Sequence, residues 1–218
     1  KLYFMIGLPT ETQRDIEGIP EICEKIKKLY KEHATAKKPL SLGVSTSTFV
    51  PKPFTPFQWE RQISLEEIRQ KQDYLRDALK KIKVKYSWHD GKSSLIEATL
   101  ARGGKELSPV LLSAYKKGCT FDSWSEKFFY DKWIEAFSEN GVKPERYTDG
   151  FGLDEKLCWE AIDAGVTRKF VLKEREKAYS GVTTPDCRKQ CHACGITALT
   201  GTACENLCAA RLTDKRTL

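Results

Sequence analysis

A strand, a helix and a second strand at the start of the chain constrain its fold most. The segment LYFMIG is continuously apolar, as buried parallel strands are. An amphipathic helix should follow, with Pro20 at its start and an apolar stripe that runs to about His33. PLSLGVSTSTFV then predicts a second strand. Because the helix at this spacing is a crossover, we expect two parallel neighbouring strands in an α/β fold.

A proline-rich loop ends the second predicted strand. Prolines cannot donate to a sheet and keep the backbone extended or turned. The loop also carries three aromatic residues, which we expect to pack the following helix against the sheet, with a substrate-facing wall as the alternative. These aromatic residues are Phe54, Phe57 and Trp59.

The rest of the chain is predicted to be mainly helical. Ser64 and Glu67 form a capping box for a helix that should reach about Lys80. Ser108 should open another helix that closes near Gly118. Two further helices are predicted from SWSEKFFYDKWIEAFSENG and TRKFVLKEREKAYSG.

Composition and charge narrow the class of protein. The chain has 218 residues, of which 40% are hydrophobic and 31% charged, as in globular domains. It has no apolar run near the ~20 residues that span a bilayer and no signal peptide, so we expect a cytoplasmic protein. Lys1 begins inside an apolar run, which indicates a fragment. The net charge of +7 favours an acidic partner.

The lysines are densest in KKIKVKY, residues 80–86. Their alternation with Ile82 and Val84 predicts an edge strand with a lysine-lined wet face. Contact with nucleic acid is the alternative.

Several motifs together resemble one family. FMIGLPTET followed by VSTSTFVPKPFTPFQW resembles the fifth and sixth strands of a radical S-adenosylmethionine (radical SAM) barrel, in its methylthiotransferase-like and cobalamin-binding branches. WHDGKSSLIEATLARGGKEL, GCTFDSWSEKF, LCWEAIDAGVTRKFVLKEREKA and TTPDCRKQCHACG look like the C-terminal third of large bacterial members that carry an N-terminal cobalamin-binding-like domain. The resemblance covers nearly the whole chain, and the order of the motifs is what makes it specific.

The resemblance implies an organisation in three parts. Residues 1–62 would be the C-terminal strands and helix of a radical SAM (βα) partial barrel. Residues 63–181 would be a mainly helical extension, and residues 182–218 a Cys-rich tail. The remainder of the same polypeptide would then be the first partner of this chain.

The resemblance also implies an activity and its cofactors. Such enzymes hold a [4Fe-4S] cluster that cleaves S-adenosylmethionine reductively to a 5′-deoxyadenosyl radical, some of them with cobalamin from an upstream domain. The main cluster ligands would lie outside this chain, so the fragment alone should be inactive, and its catalytic residues are unknown. The cofactor-binding residues implied here are Met5, Gly7, Thr48 and Phe49. Plain core packing is the alternative for Met5 and Phe49, and a simple turn is the alternative for Gly7.

The tail contains the strongest metal signal. CRKQCHAC places Cys187, Cys191 and Cys194 at CxxxCxxC spacing, but near the C-terminus rather than after the first barrel strand. We expect these thiolates to bind one auxiliary iron–sulfur cluster or a zinc ion. Free or redox thiols are the alternative. The fourth ligand would be Cys204, Cys208, His192 or a group outside the chain.

The other cysteines look structural. Cys23 and Cys158 lie in apolar helix patterns and Cys119 follows a helix end, so all three should be buried.

Two polar motifs could serve either catalysis or helix capping. His89 with Asp90 could transfer protons, but a turn with Asp90 as a cap is favoured. In FDSWSE, the side chains of Asp122, Trp124 and Glu126 could touch a substrate; a helix N-cap by Asp122 or Ser123 is favoured.

Three classes of function therefore remain. The first is part of a radical SAM enzyme, whose substrate the sequence does not identify. The second is a zinc-knuckle interaction module that binds RNA, and the third is an iron–sulfur electron-transfer module. The basic charge leans towards RNA or a ribosomal component as the partner or substrate.

Overall fold

The computed structural model describes residues 1–35, 38–187 and 189–201. Within them the chain forms two compact units. The first comprises Lys1–Pro51 and Glu60–Gly152, and the second comprises Lys52–Trp59 together with the described residues from Leu153 onward.

The first unit begins with a parallel three-stranded sheet in the order β1-β2-β3. Its register places Ile6 beside Thr48 and Thr46 beside Trp88. The prediction of two parallel neighbouring strands joined by a helix is confirmed. The elements are β1 (Leu2–Ile6), α1 (Gln13–His33), β2 (Gly43–Thr48), α2 (Leu65–Lys81) and β3 (Lys85–Trp88).

One hydrophobic core holds this sheet against α1 and α2. Strands contribute Ile6 and Val44 to it, and the helices contribute fully buried apolar side chains from both α1 and α2. The helical members are Ile16, Ile19, Cys23, Leu75 and Leu79. Both crossover helices therefore cover the same face of the sheet.

The start of α1 differs from the prediction. The helix begins at Gln13, and Pro20 lies inside it. Thr12 donates both its backbone N–H and its hydroxyl to the Asp15 carboxylate, at 2.8 and 2.7 Å, which fixes the helix start one residue after Thr12. Pro20 removes one helical hydrogen bond, but the buried stripe around it keeps the helix continuous.

The predicted capping box of α2 is confirmed. The Ser64 hydroxyl accepts from the Glu67 N–H at 3.2 Å, and the Glu67 carboxylate accepts from the Ser64 N–H at 2.7 Å. The helix ends at Lys81, one residue beyond the predicted end.

The predicted strand over residues 80–86 is wrong in its position. Lys80 and Lys81 end α2, and Lys83 has a φ of +54°. The Val84 N–H donates to the Leu79 carbonyl at 2.9 Å, the pattern of a Schellman helix end. The left-handed residue at position 83 breaks the alternation of the lysines, and the strand begins only at Lys85.

A second core in the first unit joins four helices that follow the sheet. Its buried members include Val110, Trp133 and Phe137. The helix predicted from SWSEKFFYDKWIEAFSENG begins only at Tyr130, because a 3₁₀ turn occupies Ser125–Lys127. The helices are α3 (Gly91–Arg102), α4 (Ser108–Lys116), α5 (Tyr130–Glu139) and α6 (Glu145–Thr148).

The second unit contains the proline-rich loop and the C-terminal helices. A 3₁₀ turn covers Cys158–Ala161, and α7 (Arg168–Tyr179) and α8 (Ile196–Thr200) follow. The Thr167 hydroxyl caps α7 by accepting from the Phe170 N–H at 3.3 Å. None of the helices in the described part of the chain combines the length and the apolar composition that crossing a membrane requires.

Candidate functional site: the carboxyl edge of the sheet

The carboxyl ends of all three strands meet at one edge of the sheet because the strands are parallel. The Phe49 N–H donates to the Ile6 carbonyl at 2.8 Å, and the His89 N–H donates to the Thr46 carbonyl at 3.0 Å. The turns that leave the three strands therefore begin side by side. Open α/β sheets and βα barrels place their ligand sites at this edge.

Gly7 makes the turn that leaves β1. Its φ is +81°, and its N–H donates to the Glu11 carboxylate at 2.8 Å. A Cβ atom at this position would lie 2.5 Å from Ile63 Cδ1. The backbone conformation and the packing of Ile63 thus each favour glycine, whether or not a nucleoside approaches it.

Glu11 is a buried anchoring residue that was not predicted from the sequence. Its side chain is only 5% exposed, and one carboxylate oxygen lies 2.8 Å from Lys71 Nζ on α2. The other carboxylate oxygen accepts from Gly7. The carboxylate therefore ties the turn after β1 to α2. A charged residue in the turn after a buried strand was a signal for such a role, but its partner lies 60 residues away in sequence.

Met5 lies on the face of the sheet opposite to α1 and α2. Its side chain is 48% exposed, and that of Tyr3 on the same face is 73% exposed. Strand alternation places Ser45, Ser47 and Ser87 on this face too, since Met5 pairs with Ser47 and Tyr3 with Ser45. The alternation of serines with Val44 and the threonines of β2 is the sequence signal for this polar face, which was not predicted.

Met5 also borders a cleft of about 400 Å³ beside β1 and α1. Apolar side chains of β1, the turn after it and α1 line much of this cleft, including Phe4, Leu8 and Ile22. Thr10, Glu11 and Asp15 supply its polar part. The cleft reaches the same edge of the sheet as Gly7.

Thr48 is the last residue of β2, and Phe49 follows it at this edge of the sheet. Thr48 is the register partner of Ile6, so its side chain lies on the helix-covered face and is 5% exposed. Its Oγ1 atom is buried and has no hydrogen-bond partner among the residues that the structure describes. The Phe49 carbonyl accepts from Gln62 Nε2 at 3.3 Å. The structure thus brings all four predicted residues to one edge, with Met5 as the most accessible side chain.

The proline-rich loop folds with the second unit. Phe57 packs edge-to-face on Tyr179 with ring centres 5.9 Å apart, and the Arg168 guanidinium lies 5.5 Å from the ring centre of Trp59. Gln58 accepts from Trp159 Nε1 at 2.8 Å. The prediction assigned the aromatic residues of this loop to the packing of α2, whereas the structure assigns the loop to the unit that carries α7.

The three tail cysteines are accessible to different degrees. Cys187 and Cys191 are exposed and Cys194 is half-buried. Among the described residues, no three His, Cys, Asp or Glu side chains are placed to hold one metal ion. Metal binding by these cysteines therefore stays a prediction, and Cys204 and Cys208 lie outside the described residues.

The remaining cysteines divide between buried and exposed positions. Cys23 and Cys119 are buried, as predicted, and burial raises the pKa of both thiols, so they are poor nucleophiles. Cys158 is exposed, which contradicts the prediction. Its neighbours Leu157 and Trp159 are the buried residues of that turn, and they leave Cys158 on the outer side.

The two polar motifs have structural roles. Asp90 caps α3 by accepting from the Lys92 N–H at 2.7 Å, as predicted. Asp122 is not a helix cap; it accepts from Trp133 Nε1 at 3.3 Å and fixes the loop before α5. Trp124, in the same motif, is exposed.

Comparisons with known proteins give one relative. No protein-family model and no solved structure matches the chain. Over 142 residues the chain is 30% identical to Uncharacterized protein MJ0966 of Methanocaldococcus jannaschii. The matched segment is 65% of this chain and 30% of the archaeal protein, so the chain spans under a third of that relative's length.

Proposed function

We propose that this chain is the C-terminal part of the barrel of a radical S-adenosylmethionine enzyme and contributes the far side of its cofactor site. The observation that carries the proposal is the one-sided covering of the parallel sheet. Its helices lie on one face, and the other face presents hydroxyl-bearing and exposed side chains.

The order of the strands supports a barrel wall. Three parallel strands follow one another as β1-β2-β3, and both crossover helices pack on the same face. Crossovers of parallel strands are almost always right-handed, so strands added in one direction keep all helices on one side. A βα barrel continues this winding throughout, whereas a doubly wound sheet has it within each half and reverses direction between the halves.

The face of the sheet that no helix covers supports a ligand site on the inner side of the proposed barrel wall. Parallel sheets are normally buried on both faces, and their strands are then apolar on both faces. Here the face of Tyr3 and Met5 carries three serines and large exposed side chains. Hydroxyl groups are expected on a face that contacts a polar ligand rather than on one that packs in an apolar core, because a buried hydroxyl without a hydrogen-bond partner is unfavourable.

The residues at the carboxyl edge fit an adenosyl ligand. Met5 offers an accessible apolar side chain for an adenine ring, and Ser47 beside it offers a hydroxyl group. When bound, the cofactor would supply a 5′-deoxyadenosyl radical through reductive cleavage by an iron–sulfur cluster. The role of this chain would be to bind and orient the nucleoside and to shield it from water. The ligands of that cluster, and cobalamin if it is used, belong in this proposal to other parts of the polypeptide.

The second candidate is a metal-binding interaction module with an RNA partner. The lysines that would bind the RNA do not lie at the candidate cofactor site. Lys80 and Lys81 end α2, Lys83 follows it, and Lys85 begins β3. They lie at the amino edge of the sheet, opposite to the edge of Gly7. These lysines and the candidate cofactor site therefore lie at opposite edges of the sheet.

The proposal predicts different chemistry for the complete protein and for this chain alone. The protein of the complete reading frame, reduced without oxygen, should release 5′-deoxyadenosine from S-adenosylmethionine. The isolated 218-residue chain should release none, because the proposal places the cluster ligands elsewhere. Product from the isolated chain, or none from the complete protein, would contradict the proposal.

A further inference from the structure

We propose that Cys187, Cys191 and Cys194 bind one metal centre through their thiolates, and that this centre fastens the tail to the loop that begins α7. The inference is independent of the proposed cofactor site, because it concerns only the second unit. It rests on the backbone of residues 191–195 and on the contacts that this turn makes.

The turn from Cys191 to Gly195 has the geometry of a metal-binding knuckle. The Ala193 N–H points at Cys191 Sγ at 3.5 Å. Ala193 and Gly195 have φ angles of +55° and +111°. Two cysteines with two residues between them are the commonest half-site for zinc and are also used for iron–sulfur clusters. An N–H group directed at a thiolate stabilises its charge, as the groups around metal ligands commonly do.

The turn is seated on the loop before α7. The Thr167 N–H donates to the Cys194 carbonyl at 2.8 Å. A Cβ atom on Gly195 would lie 2.9 Å from the Gly165 carbonyl oxygen, so the two backbones are in close contact. On the far side of the turn, Ile196 and Leu199 pack on Gly165 so closely that a Cβ atom there would lie 2.7 and 2.8 Å from their side chains. The tail therefore already holds the loop through a backbone hydrogen bond and side-chain packing.

The three thiolates must converge to complete the site. The described side chains do not form a group of three ligands, and Cys187 is exposed four residues before Cys191. Metal binding and folding are coupled, because bonds from three thiolates to one ion are strong enough to close a short loop. Cys187, Cys191 and Cys194 should accordingly come together when the metal binds.

His192 is a fourth ligand that the described residues could supply. Its Nε2 atom is buried and lacks a hydrogen-bond partner within the described ranges. A set of three thiolates and one imidazole is a common structural zinc site. With a thiolate from elsewhere, the same three cysteines suit an iron–sulfur cluster.

The test is metal analysis of the 218-residue chain prepared without oxygen, beside two matched variants. Cys191→Ser removes a proposed ligand, whereas Cys158→Ser changes an exposed cysteine of the same unit outside the triplet. The parent chain and Cys158→Ser should carry about one metal centre per chain. Cys191→Ser should lose at least about tenfold in metal affinity, measured by competition with a chelator. Visible absorbance separates an iron–sulfur cluster from colourless zinc.

A second measurement follows hydrogen exchange in the loop before α7. It remains informative if Cys191→Ser folds poorly. Removing the metal from the parent chain with a chelator should speed hydrogen exchange at Thr167 and the first turn of α7. Exchange in α2 should not change, because α2 belongs to the first unit. Absence of stoichiometric zinc and iron from the parent, or equal metal loss in both variants, would overturn the proposal. Unchanged exchange at Thr167 on metal removal would overturn the fastening role.

Discussion

At the scale of single residues, Gly7 makes the sharpest prediction about stability. Its φ of +81° opposes any side chain, and so does Ile63 Cδ1, which would lie 2.5 Å from a Cβ atom at this position. Gly7→Ala should therefore lower the free energy of unfolding of the 218-residue chain by about 1–3 kcal/mol. Denaturant unfolding would measure it.

The matched control is Gly43→Ala in β2. A Cβ atom there meets its nearest neighbour at 3.7 Å, which is an ordinary contact. Because alanine is preferred to glycine inside strands, this variant should be neutral or slightly stabilising. Equal stability of the two variants would contradict the strain at Gly7. The strain also means that a bulky residue at Gly7 cannot report on cofactor binding alone.

Burial at the residue scale was partly predictable. Cys23 sits within an apolar helical stripe, and the stripe predicts its burial correctly. Cys158 has the same kind of neighbours but lies in a 3₁₀ turn, whose periodicity turns it outward. The role of Glu11 was not predictable from local sequence, because its partner Lys71 comes from another helix.

At the scale of elements, the first turn of α2 should make stability depend on pH. The Arg61 guanidinium donates to the Glu67 carboxylate at 2.7 and 2.8 Å, and with the Ser64 N–H it lowers the pKa of Glu67 to about 2. The folded state thus favours the ionised carboxylate. This contribution is complete above the ordinary pKa near 4.5 and is lost as the pH falls towards about 2.

Glu67→Gln should remove that dependence. Because the ion pair is partly exposed to solvent, its contribution is about 0.5–1 kcal/mol rather than the full value of the pKa shift. Between pH 6 and pH 3 the parent should lose more stability than Glu67→Gln, by more than half of this contribution, as measured by denaturant unfolding at the two pH values. Parallel losses in both proteins would show that Glu67 is not the responsible group.

Elements with strong local signals were predictable, and those set by tertiary contacts were not. The capping box of α2 and the strand–helix–strand start needed only neighbouring residues. The end of α2 was obscured because Lys83, rather than a glycine, takes the left-handed position. The late start of α5 follows from the 3₁₀ turn at Ser125–Lys127, which the apolar pattern of this segment does not indicate.

At the scale of the whole molecule, the sheet order followed from the sequence but the two units did not. A helical crossover allows essentially one parallel arrangement, so pattern alone gives β1 beside β2. The proline-rich loop looked like a continuation of the sheet region. Its place in the second unit depends on contacts such as Phe57 with Tyr179, which no local pattern contains.

The residues that line the carboxyl edge of the sheet could likewise be predicted only in part. Parallel strands bring Met5, Gly7, Thr48 and Phe49 to one edge, as expected. Which side chains face outward depends on which face the helices cover, and that is a property of the packed sheet. Ser47 belongs to the candidate site for this reason, while the Thr48 side chain lies on the covered face.

The most direct test of the proposed cofactor site measures S-adenosylmethionine binding by the complete protein and by its variants Met5→Lys and Leu29→Lys. Met5 lies on the uncovered face, and Leu29, which is 55% exposed, lies on α1 in the covering layer. An ammonium group on the uncovered face would repel the positively charged sulfonium of the cofactor. It would also replace the apolar side chain that the adenine ring is proposed to contact. We therefore predict that Met5→Lys weakens binding at least about tenfold, or about 1.4 kcal/mol, and that Leu29→Lys leaves it unchanged. Equal affinity in the parent and both folded variants, or no binding by the parent, would contradict the account.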